Sequence, residues 1–170
     1  AHASLGQVYK LSWQWTESER EYKRAIELNP NYATTYHWYS HLLRNLGRYD
    51  EAVVIIKRGH ELDPLSSIIS ANVAEVYRLQ KNHQASIDTA LKIIELDPNF
   101  AMAHALMSAV YTNTGQSALA PDFAQRAFEL AVDHAKVRKQ FGQFVGQFQA
   151  VQHKLANCLI SLDGARLALD

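Results

Sequence analysis

The sequence predicts an all-α fold in which helical hairpins stack side by side, and three observations lead to this prediction. The phrases ELNPN, ELDPL and ELDPN each contain a proline, and Pro30, Pro64 and Pro98 lie 34 residues apart. Between these prolines, apolar residues recur at spacings of three and four, as they do on one face of a helix. A fixed period of this length is typical of two-helix repeat units, so we expect an α-solenoid.

Each repeat unit is expected to divide into two antiparallel helices. The predicted units span about residues 1–31, 32–65, 66–99 and 100–132. Midway through the second and fourth units, Gly47 and Gly115 supply the left-handed backbone that ends a first helix. A residue that precedes proline is biased away from helix. The second helices should therefore end near Asn29, Asp63 and Asp97.

After about Pro121 the repeated phrase does not recur, and the sequence predicts three further elements. Residues 121–139 should form one helix, because proline is tolerated in a first turn. Residues 141–147 contain two glycines and are predicted to be a loop. Residues 148–169 should form an amphipathic helix, with Cys158 as an inert core thiol on its apolar side. We therefore divide the chain into a repeat array, residues 1–120, and a helical segment, residues 121–170.

The composition argues against several classes of partner. Hydrophobic residues make up 48% of the chain, yet no apolar run reaches the length of a membrane span. Lys and Arg together number 17, as do Asp and Glu, so no net charge attracts nucleic acid or an anionic membrane. The single cysteine leaves no internal disulfide or cysteine-based metal cluster. We expect neither a nucleic-acid nor a membrane partner.

Small and aromatic residues occupy set positions within the repeat units. In the first unit they are Leu5, Gly6, Tyr9, Tyr22, Ala25 and Pro30, and in the second Tyr36, Tyr39, Gly47, Tyr49, Ala52 and Pro64. Over roughly residues 1–130 this pattern resembles the tetratricopeptide repeat (TPR) family. The resemblance implies that these residues are structural and that first helices line a concave groove. The later units depart from the pattern, with Ser86 at a usual alanine and Val132 at the last proline position.

One position on the first helices carries a cation in three successive units. These residues, each 34 apart, are Lys10, Arg44 and Arg78. His37 and His41 precede Arg44 on the same helix face at spacing i, i+4. Such a row could hold an acidic or carboxylate-terminated peptide through bidentate hydrogen bonds. The sequence thus predicts a partner-binding groove formed by these five residues.

Other interpretations of the same residues remain open. The cations could keep a solvated face soluble, or pair with Glu75 at little energetic gain. His37 and His41 have the spacing of two zinc ligands, but the sequence offers no third ligand beside them. The tryptophans are predicted to pack in the core and turns, and they are Trp13, Trp15 and Trp38.

The C-terminal segment carries two motifs of a different kind. RKQFG spans residues 138–142 and FQAVQHKLA spans residues 148–156. Together they resemble the helical C-terminal domain of the acyl-CoA dehydrogenase family over roughly residues 121–170. The resemblance implies contact with flavin adenine dinucleotide (FAD). The implied cofactor-binding residues are Arg138, Gln140, Phe141, Phe148 and Gln149.

The acyl-CoA dehydrogenase resemblance does not by itself imply activity. The family's β-barrel middle domain has no counterpart in this chain, and no glutamate stands near Thr112, where an upstream catalytic base would lie. The segment would then be an incomplete fragment, inactive alone. The alternative is a borrowed helical hairpin that caps the last repeat.

The sequence therefore predicts a non-enzymatic protein-interaction scaffold that binds a peptide or partner helix in its groove. No catalytic residue, metal or resident cofactor is expected, and the alternative function is a flavin-associated fragment. A homodimer through Phe141, Phe144 and Phe148 is a further possibility, because exposed aromatic residues can mark an interface. The first residues lack a signal-peptide pattern and begin part-way into a repeat. We expect an excised or fused segment, with a cytoplasmic location by default.

Overall fold

The computed structural model describes residues 1–116 and 118–167, with side chains of the last helix described as far as residue 164. Over these residues the predicted all-α fold is confirmed. The helices are α1 (His2–Leu11), α2 (Trp15–Leu28), α3 (Ala33–Asn45), α4 (Tyr49–Leu62), α5 (Ser67–Leu79), α6 (His83–Leu96), α7 (Ala101–Asn113), α8 (Ala120–Val137) and α9 (Gln149–Leu167). None of the helices in the described ranges is long and apolar enough to cross a membrane.

The chain forms two compact units, Ala1–Thr89 and Ala90–Asp170. The division falls within α6, whereas the boundary predicted near residue 120 falls at the start of α8. In the first unit, α1 pairs with α2 and α3 pairs with α4, and each following first helix packs on the pair before it. In the second unit, α7 pairs with α8, and α9 packs on α8.

Each first helix ends in a residue with left-handed backbone, at equivalent positions 34 residues apart. The φ angles are 61° at Trp13, 73° at Gly47, 61° at Lys81 and 74° at Gly115. After Gly47, the Arg48 N–H donates to Leu43 O at 2.9 Å, which satisfies a carbonyl of the last turn. The two glycines were predicted, but the same conformation at Trp13 and Lys81 was not. In these two units a residue with a Cβ carries the strain.

The core of the first unit is a continuous cluster between the hairpins. Its buried members are Tyr22, Tyr39, Leu42, Leu43, Ala52, Ile56, Ile69, Val73 and Val76. Burial of Tyr22, Tyr39 and Ala52 confirms their predicted structural role. Leu5 is 40% exposed, because its equivalent Tyr39 packs on the preceding hairpin and no described helix precedes α1.

The tryptophans lie within the first two hairpins. Trp15 and Trp38 pack against the core cluster. Trp13 is 77% exposed and makes an edge contact with Trp15, with ring centroids 5.2 Å apart. The predicted packing role is confirmed for Trp15 and Trp38, whereas Trp13 lies at the turn and is mostly exposed.

A polar cluster joins the first hairpin to the second. Glu19 on α2 accepts hydrogen bonds from Tyr39 Oη at 2.8 Å, Arg48 Nη1 at 2.7 Å and Lys23 Nζ at 2.9 Å. These donors lower the pKa of Glu19 to about 2, with Arg48 making the largest contribution. The carboxylate therefore stays charged at neutral pH and fixes α3 on α2.

The two helices of a hairpin approach closely where a small residue faces a large one. A Cβ added at Gly6 would lie 2.8 Å from Tyr22 Cε1, which is too short for a carbon–carbon contact. The Ser18 hydroxyl donates to Gly6 O at 2.8 Å across the same hairpin. In the third unit Ser86, buried, donates to Ala74 O at 2.8 Å. The serine that departs from the family pattern thus ties its two helices together.

The predicted loop over residues 141–147 is wrong in detail, because part of it forms a tight β-hairpin. Strand β1 (Lys139–Gln140) pairs antiparallel with β2 (Gln143–Phe144), and a 3₁₀ turn follows over Val145–Gln147. Phe141 and Gly142 have φ angles of 51° and 82°. Positive φ at both central residues of a two-residue connection matches the right-handed twist of paired strands.

The predicted inert core position of Cys158 is also wrong, because this side chain is exposed. On α9, Leu162 is buried, but Leu159 is 40% and Ile160 69% exposed. Helix α9 packs mainly on α8, so only a narrow part of its apolar surface is covered.

We predict that Lys81→Gly stabilises the protein. Left-handed backbone costs a residue with a Cβ about 1–2 kcal/mol, and the greater freedom of glycine in the unfolded chain offsets part of this gain. The expected net increase in the free energy of unfolding is about 0.5–1 kcal/mol, measured by urea denaturation. Gly47→Ala, at the equivalent position, should lower it by about 1 kcal/mol. A loss of stability in Lys81→Gly would contradict this account.

We predict that Gly6→Ala destabilises the protein by about 1–3 kcal/mol, because the added methyl group overlaps the Tyr22 ring. The second hairpin has Ser40 and Ile56 at the equivalent positions. Combining Gly6→Ala with Tyr22→Ile should therefore cost less than the sum of the two single changes. Strict additivity in urea denaturation would show that the two side chains do not share one space.

Candidate functional site

The five groove residues predicted from the sequence lie on the first helices of the first unit. Lys10 is on α1, Arg44 is on α3 together with His37 and His41, and Arg78 is on α5. Helix α3 packs against both α1 and α5. We call the surface that these five residues form the inner-helix face. All five residues are half-buried, so part of each residue is open to solvent.

Arg44 lies at the centre of the inner-helix face and is held by a buried amide. Its Nη1 donates to Asn72 Oδ1 on α5, and Asn72 Nδ2 donates to Ser40 Oγ at 2.6 Å. Asn72 is only 3% exposed. Arg44 Nε is buried and has no hydrogen-bond partner among the described residues. Burial lowers the pKa of Arg44, the usual cost of placing a cation out of water without a full set of acceptors.

Arg78 differs from the other two cations because it has a carboxylate partner. Its Nε and Nη2 donate to the two oxygens of Glu75, at 2.7 and 2.8 Å. This bidentate pair raises the pKa of Arg78. The alternative in which Glu75 pairs with a groove cation is therefore realised at Arg78.

Lys10 and Arg44 form no ion pair with any carboxylate in residues 1–116 and 118–164. Burial lowers the pKa of Lys10, and the positive charge of Arg44 adds to this effect. The charge of Arg44 therefore acts on Lys10, and the two cations lie on the same part of the face. The charge of Glu75 also acts on Arg44, but Glu75 pairs directly with Arg78, so Lys10 and Arg44 have no carboxylate of their own among these residues.

His37 and His41 lie between these cations and contact each other, with their Nε2 atoms 3.0 Å apart. Burial lowers the pKa of His41 to about 3, and the charges of Arg44, His37 and Lys10 act in the same direction. The pKa of His37 is also lowered, by burial and then by Arg44 and Lys10. Both imidazoles are therefore neutral at pH 7, and one can donate a hydrogen bond to the other.

This arrangement suits an anion better than a metal ion. In the described part of the chain, no three His, Cys, Asp or Glu side chains lie close enough together to hold a metal ion. The imidazole pair therefore lacks a third ligand. An incoming carboxylate would instead meet the half-buried cations Lys10 and Arg44. Charge-assisted hydrogen bonds of this kind are stronger than neutral ones.

The second predicted group of residues lies around the β-hairpin before α9. Arg138, Gln140 and Gln149 are exposed, and Phe141 at the turn is 93% exposed. Phe148 is half-buried and contacts Phe141 edge to face, with ring centroids 6.4 Å apart. The residues are close together but line one open edge. They do not form an enclosed site for FAD by themselves.

Two features near the candidate sites were not predicted from the sequence. The first is Asn72, whose only signal is one amide within the apolar helix α5. The second is a cavity of about 830 Å³ between α7, α8 and α9. Its signal is the run of alanines that line it, at positions 105, 109, 120, 124, 127 and 131.

Comparison with protein families confirms both resemblances. The tetratricopeptide repeat family model matches residues 21–54. The model described as acyl-CoA dehydrogenase, C-terminal domain, matches residues 101–170. This second match begins well before the predicted residue 121. Helices α7 and α8 therefore lie within the acyl-CoA dehydrogenase match while they continue the repeat period.

The chain matches only a small part of the curated relatives. It is 47% identical over 53 residues to 3-sulfinopropanoyl-CoA desulfinase of Paraburkholderia xenovorans, which is 31% of this chain and 14% of that protein. It is 38% identical over 104 residues to 3-(aryl)acrylate reductase of Clostridium sporogenes, which is 61% of this chain and 24% of that protein.

A solved structure extends the likeness to almost the whole chain. A crystal structure of MamA protein superposes with a TM-score of 0.67 at 17% sequence identity, covering 96% of this chain and 87% of that one. At this identity the match concerns the fold alone. The chain is a TPR-like α-solenoid with an acyl-CoA dehydrogenase-like segment.

We predict that stability falls between pH 7 and pH 5. The unfolded chain protonates its histidines near pH 6.5, whereas folded His41 has a pKa of about 3. The unfolded state therefore gains protons that the folded state does not, and the free energy of unfolding drops by about 1–2 kcal/mol. Glu19, whose pKa is lowered to about 2, does not add to this drop. The stability that its charged carboxylate contributes is lost only below pH 4.5.

His41→Asn should weaken this pH dependence. Urea denaturation at pH 7 and pH 5 compares the two proteins directly. An equal drop in stability for the wild type and the variant would show that His41 is not the responsible group.

Proposed function

We propose that the chain is a non-enzymatic scaffold that binds an acidic peptide segment of a partner protein on its inner-helix face. The observation that carries the proposal is the pair of half-buried cations, Lys10 and Arg44, without a carboxylate partner in the described residues. A cation placed out of water is costly unless an anion neutralises it. A carboxylate from a partner supplies that anion.

The neighbouring groups favour a carboxylate over a neutral ligand. Asn72 holds the Arg44 guanidinium in place, so little side-chain entropy is lost when a ligand binds. His37 and His41 are neutral and leave the cations as the charged groups of the site. Arg78, already paired with Glu75, is assigned to the edge of the site. TPR-like folds present such surfaces on their first helices, which agrees with this location.

The proposal is tested with a displayed library of random dodecapeptides selected on the immobilised protein. Enriched peptides should contain Asp or Glu, or end in a free carboxylate. Lys10→Glu combined with Arg44→Glu should weaken their binding at least about tenfold, which corresponds to ~1.4 kcal/mol and is less than one charge-assisted hydrogen bond can contribute. Fluorescence anisotropy measures the affinity, and circular dichroism confirms that the variant is folded.

A matched control carries the same change of charge elsewhere. Arg24→Glu with Arg58→Glu alters two exposed cations on α2 and α4, each paired within its own helix. This variant should bind the selected peptides like the wild type. Enrichment of peptides without acidic groups, or an equal loss of peptide affinity in both variants, would refute the proposed site. The cations would then only keep a solvated face soluble.

A second candidate function is the flavin-associated one, and the family match over residues 101–170 favours it. Arg138 and Gln149 could contact FAD only if another chain covered the opposite side, because both are exposed. We expect the purified chain to be colourless and to take up no flavin after incubation with FAD and desalting. Retained yellow colour, lost on Arg138→Ala, would instead support this candidate.

We also propose a homodimer that is held together by the aromatic residues of the β-hairpin and the start of α9. Phe141 is the most exposed of the three, and Phe144 is 38% exposed and lies under Lys139 Nζ. Light scattering on the wild type and on Phe141→Ser distinguishes a dimer held by this hairpin from a monomer.

A further inference from the structure

The second and third repeat units differ at one position of the inner-helix face, beside the cation. In the third unit, Glu75 stands three residues before Arg78 and accepts two hydrogen bonds from it, of 2.7 and 2.8 Å. In the second unit, the equivalent residue is His41, three residues before Arg44. Arg44 therefore has an imidazole where Arg78 has a carboxylate.

This difference indicates where the carboxylate of a ligand would lie. A carboxylate that paired with Arg44 as Glu75 pairs with Arg78 would stand beside His41. His41 is hydrogen-bonded to His37, with the two Nε2 atoms 3.0 Å apart and the ring centroids 4.7 Å apart. The ligand would thus meet a linked pair of imidazoles, which one added proton converts into a cation.

The charge of such a ligand opposes the effect of the two cations on the imidazoles. Burial, followed by the positive charges of Arg44 and Lys10, lowers the pKa of both histidines. A carboxylate beside them cancels part of this positive charge and accepts a hydrogen bond from the protonated form. Both effects favour the charged imidazole when the ligand is bound.

The helices packed against α3 carry further charged and titratable groups. Glu75 and Arg78 on α5 and Tyr49 on α4 act on Arg44. On α2, the carboxylate of Glu19 is engaged by Arg48, Tyr39 and Lys23. Carboxylate, phenol, ammonium and guanidinium groups ordinarily titrate outside the range from pH 5.5 to pH 7.5. The histidines are therefore the groups of this region that change charge within it.

We propose that the inner-helix face takes up a proton on its two histidines, His37 and His41, when it binds a carboxylate, so that its affinity for acidic peptides rises as the pH falls from 7.5 to 5.5. This inference rests on the proposed function, because it concerns the same site. The linkage is reciprocal, so the proton and the peptide strengthen each other's binding by the same factor.

The probe is a synthetic, acetylated dodecapeptide of four Gly-Asp-Ser repeats. Its side chains stay ionised throughout the range, because the ordinary pKa of aspartate is about 3.9. Isothermal titration calorimetry should show an affinity about three- to tenfold higher at pH 5.5 than at pH 7.5, since a rise of one unit in the pKa of the pair changes it at most about tenfold. At pH 6 the binding enthalpy should differ between Mes and bis-Tris buffers, because the buffer supplies the proton.

Variants assign the proton to the two imidazoles. His37→Gln combined with His41→Gln removes the pair and keeps Lys10 and Arg44, so the affinity should no longer rise as the pH falls. His134→Gln with His153→Gln changes two exposed histidines of α8 and α9 and should retain the pH dependence of the wild type. Circular dichroism at pH 5.5 and pH 7.5 establishes that both variants fold.

Peptide binding without proton uptake would overturn this inference alone. The probe would then bind, and Lys10→Glu with Arg44→Glu would weaken it, but its affinity would not depend on pH nor its binding enthalpy on the buffer. A pH dependence that persists without His37 and His41 would also overturn it. A probe that binds at no pH would overturn the peptide site as well. If the histidine variant fails to fold, the imidazole proton signals of the wild type decide the question, since the pKa of the pair must rise when the probe is added.

Discussion

A helical hairpin cannot bury both of its faces within itself, and this constraint governs the molecule. Helix α3 packs on its own partner α4, on the hairpin before it and on the helix α5 after it, so its residues are divided among three surfaces. Tyr39 illustrates the contact with the preceding hairpin: its ring stacks on Tyr22, with ring centroids 5.8 Å apart, and its hydroxyl donates to Glu19, both on α2. What remains uncovered is either the inner-helix face or the surface where stacking stops. The inner-helix face, which carries the candidate site, is such a remaining surface.

The two surfaces have opposite chemistry although they use equivalent positions of the repeat. The repeat position that carries Lys10, Arg44 and Arg78 in the first three units carries Thr112 in the fourth. The position of His41 carries Ala109 in the fourth unit. A cationic surface in the first unit therefore corresponds to an apolar one in the second. This change coincides with the start of the acyl-CoA dehydrogenase-like match at residue 101. One backbone period thus carries two surfaces of different chemistry.

Much of the fold follows from the sequence because local chemistry determines it. The prolines and the 34-residue period predict where the second helices end, and Gly47 and Gly115 predict two of the turns. The cation row follows from the period as well. The sequence did not predict features that depend on packing between distant segments. These are the hydrogen bond from Arg44 to Asn72, the cavity and the exposure of Cys158. The left-handed backbone at Lys81 was missed for a related reason, since the surrounding hairpin imposes it on a residue that disfavours it.

The tryptophans and the single cysteine lie in different halves of the chain, so spectroscopic signals from them report on different parts of the molecule. All three tryptophans lie between residues 13 and 38, and Trp15 and Trp38 pack on the core of the first unit. Intrinsic indole emission therefore reports on the first two hairpins and is silent about α7, α8 and α9. The single thiol, at residue 158, has the complementary location. The emission of a fluorophore attached to this thiol would report on the second unit alone. The two halves of the chain can therefore be observed separately without changing any residue.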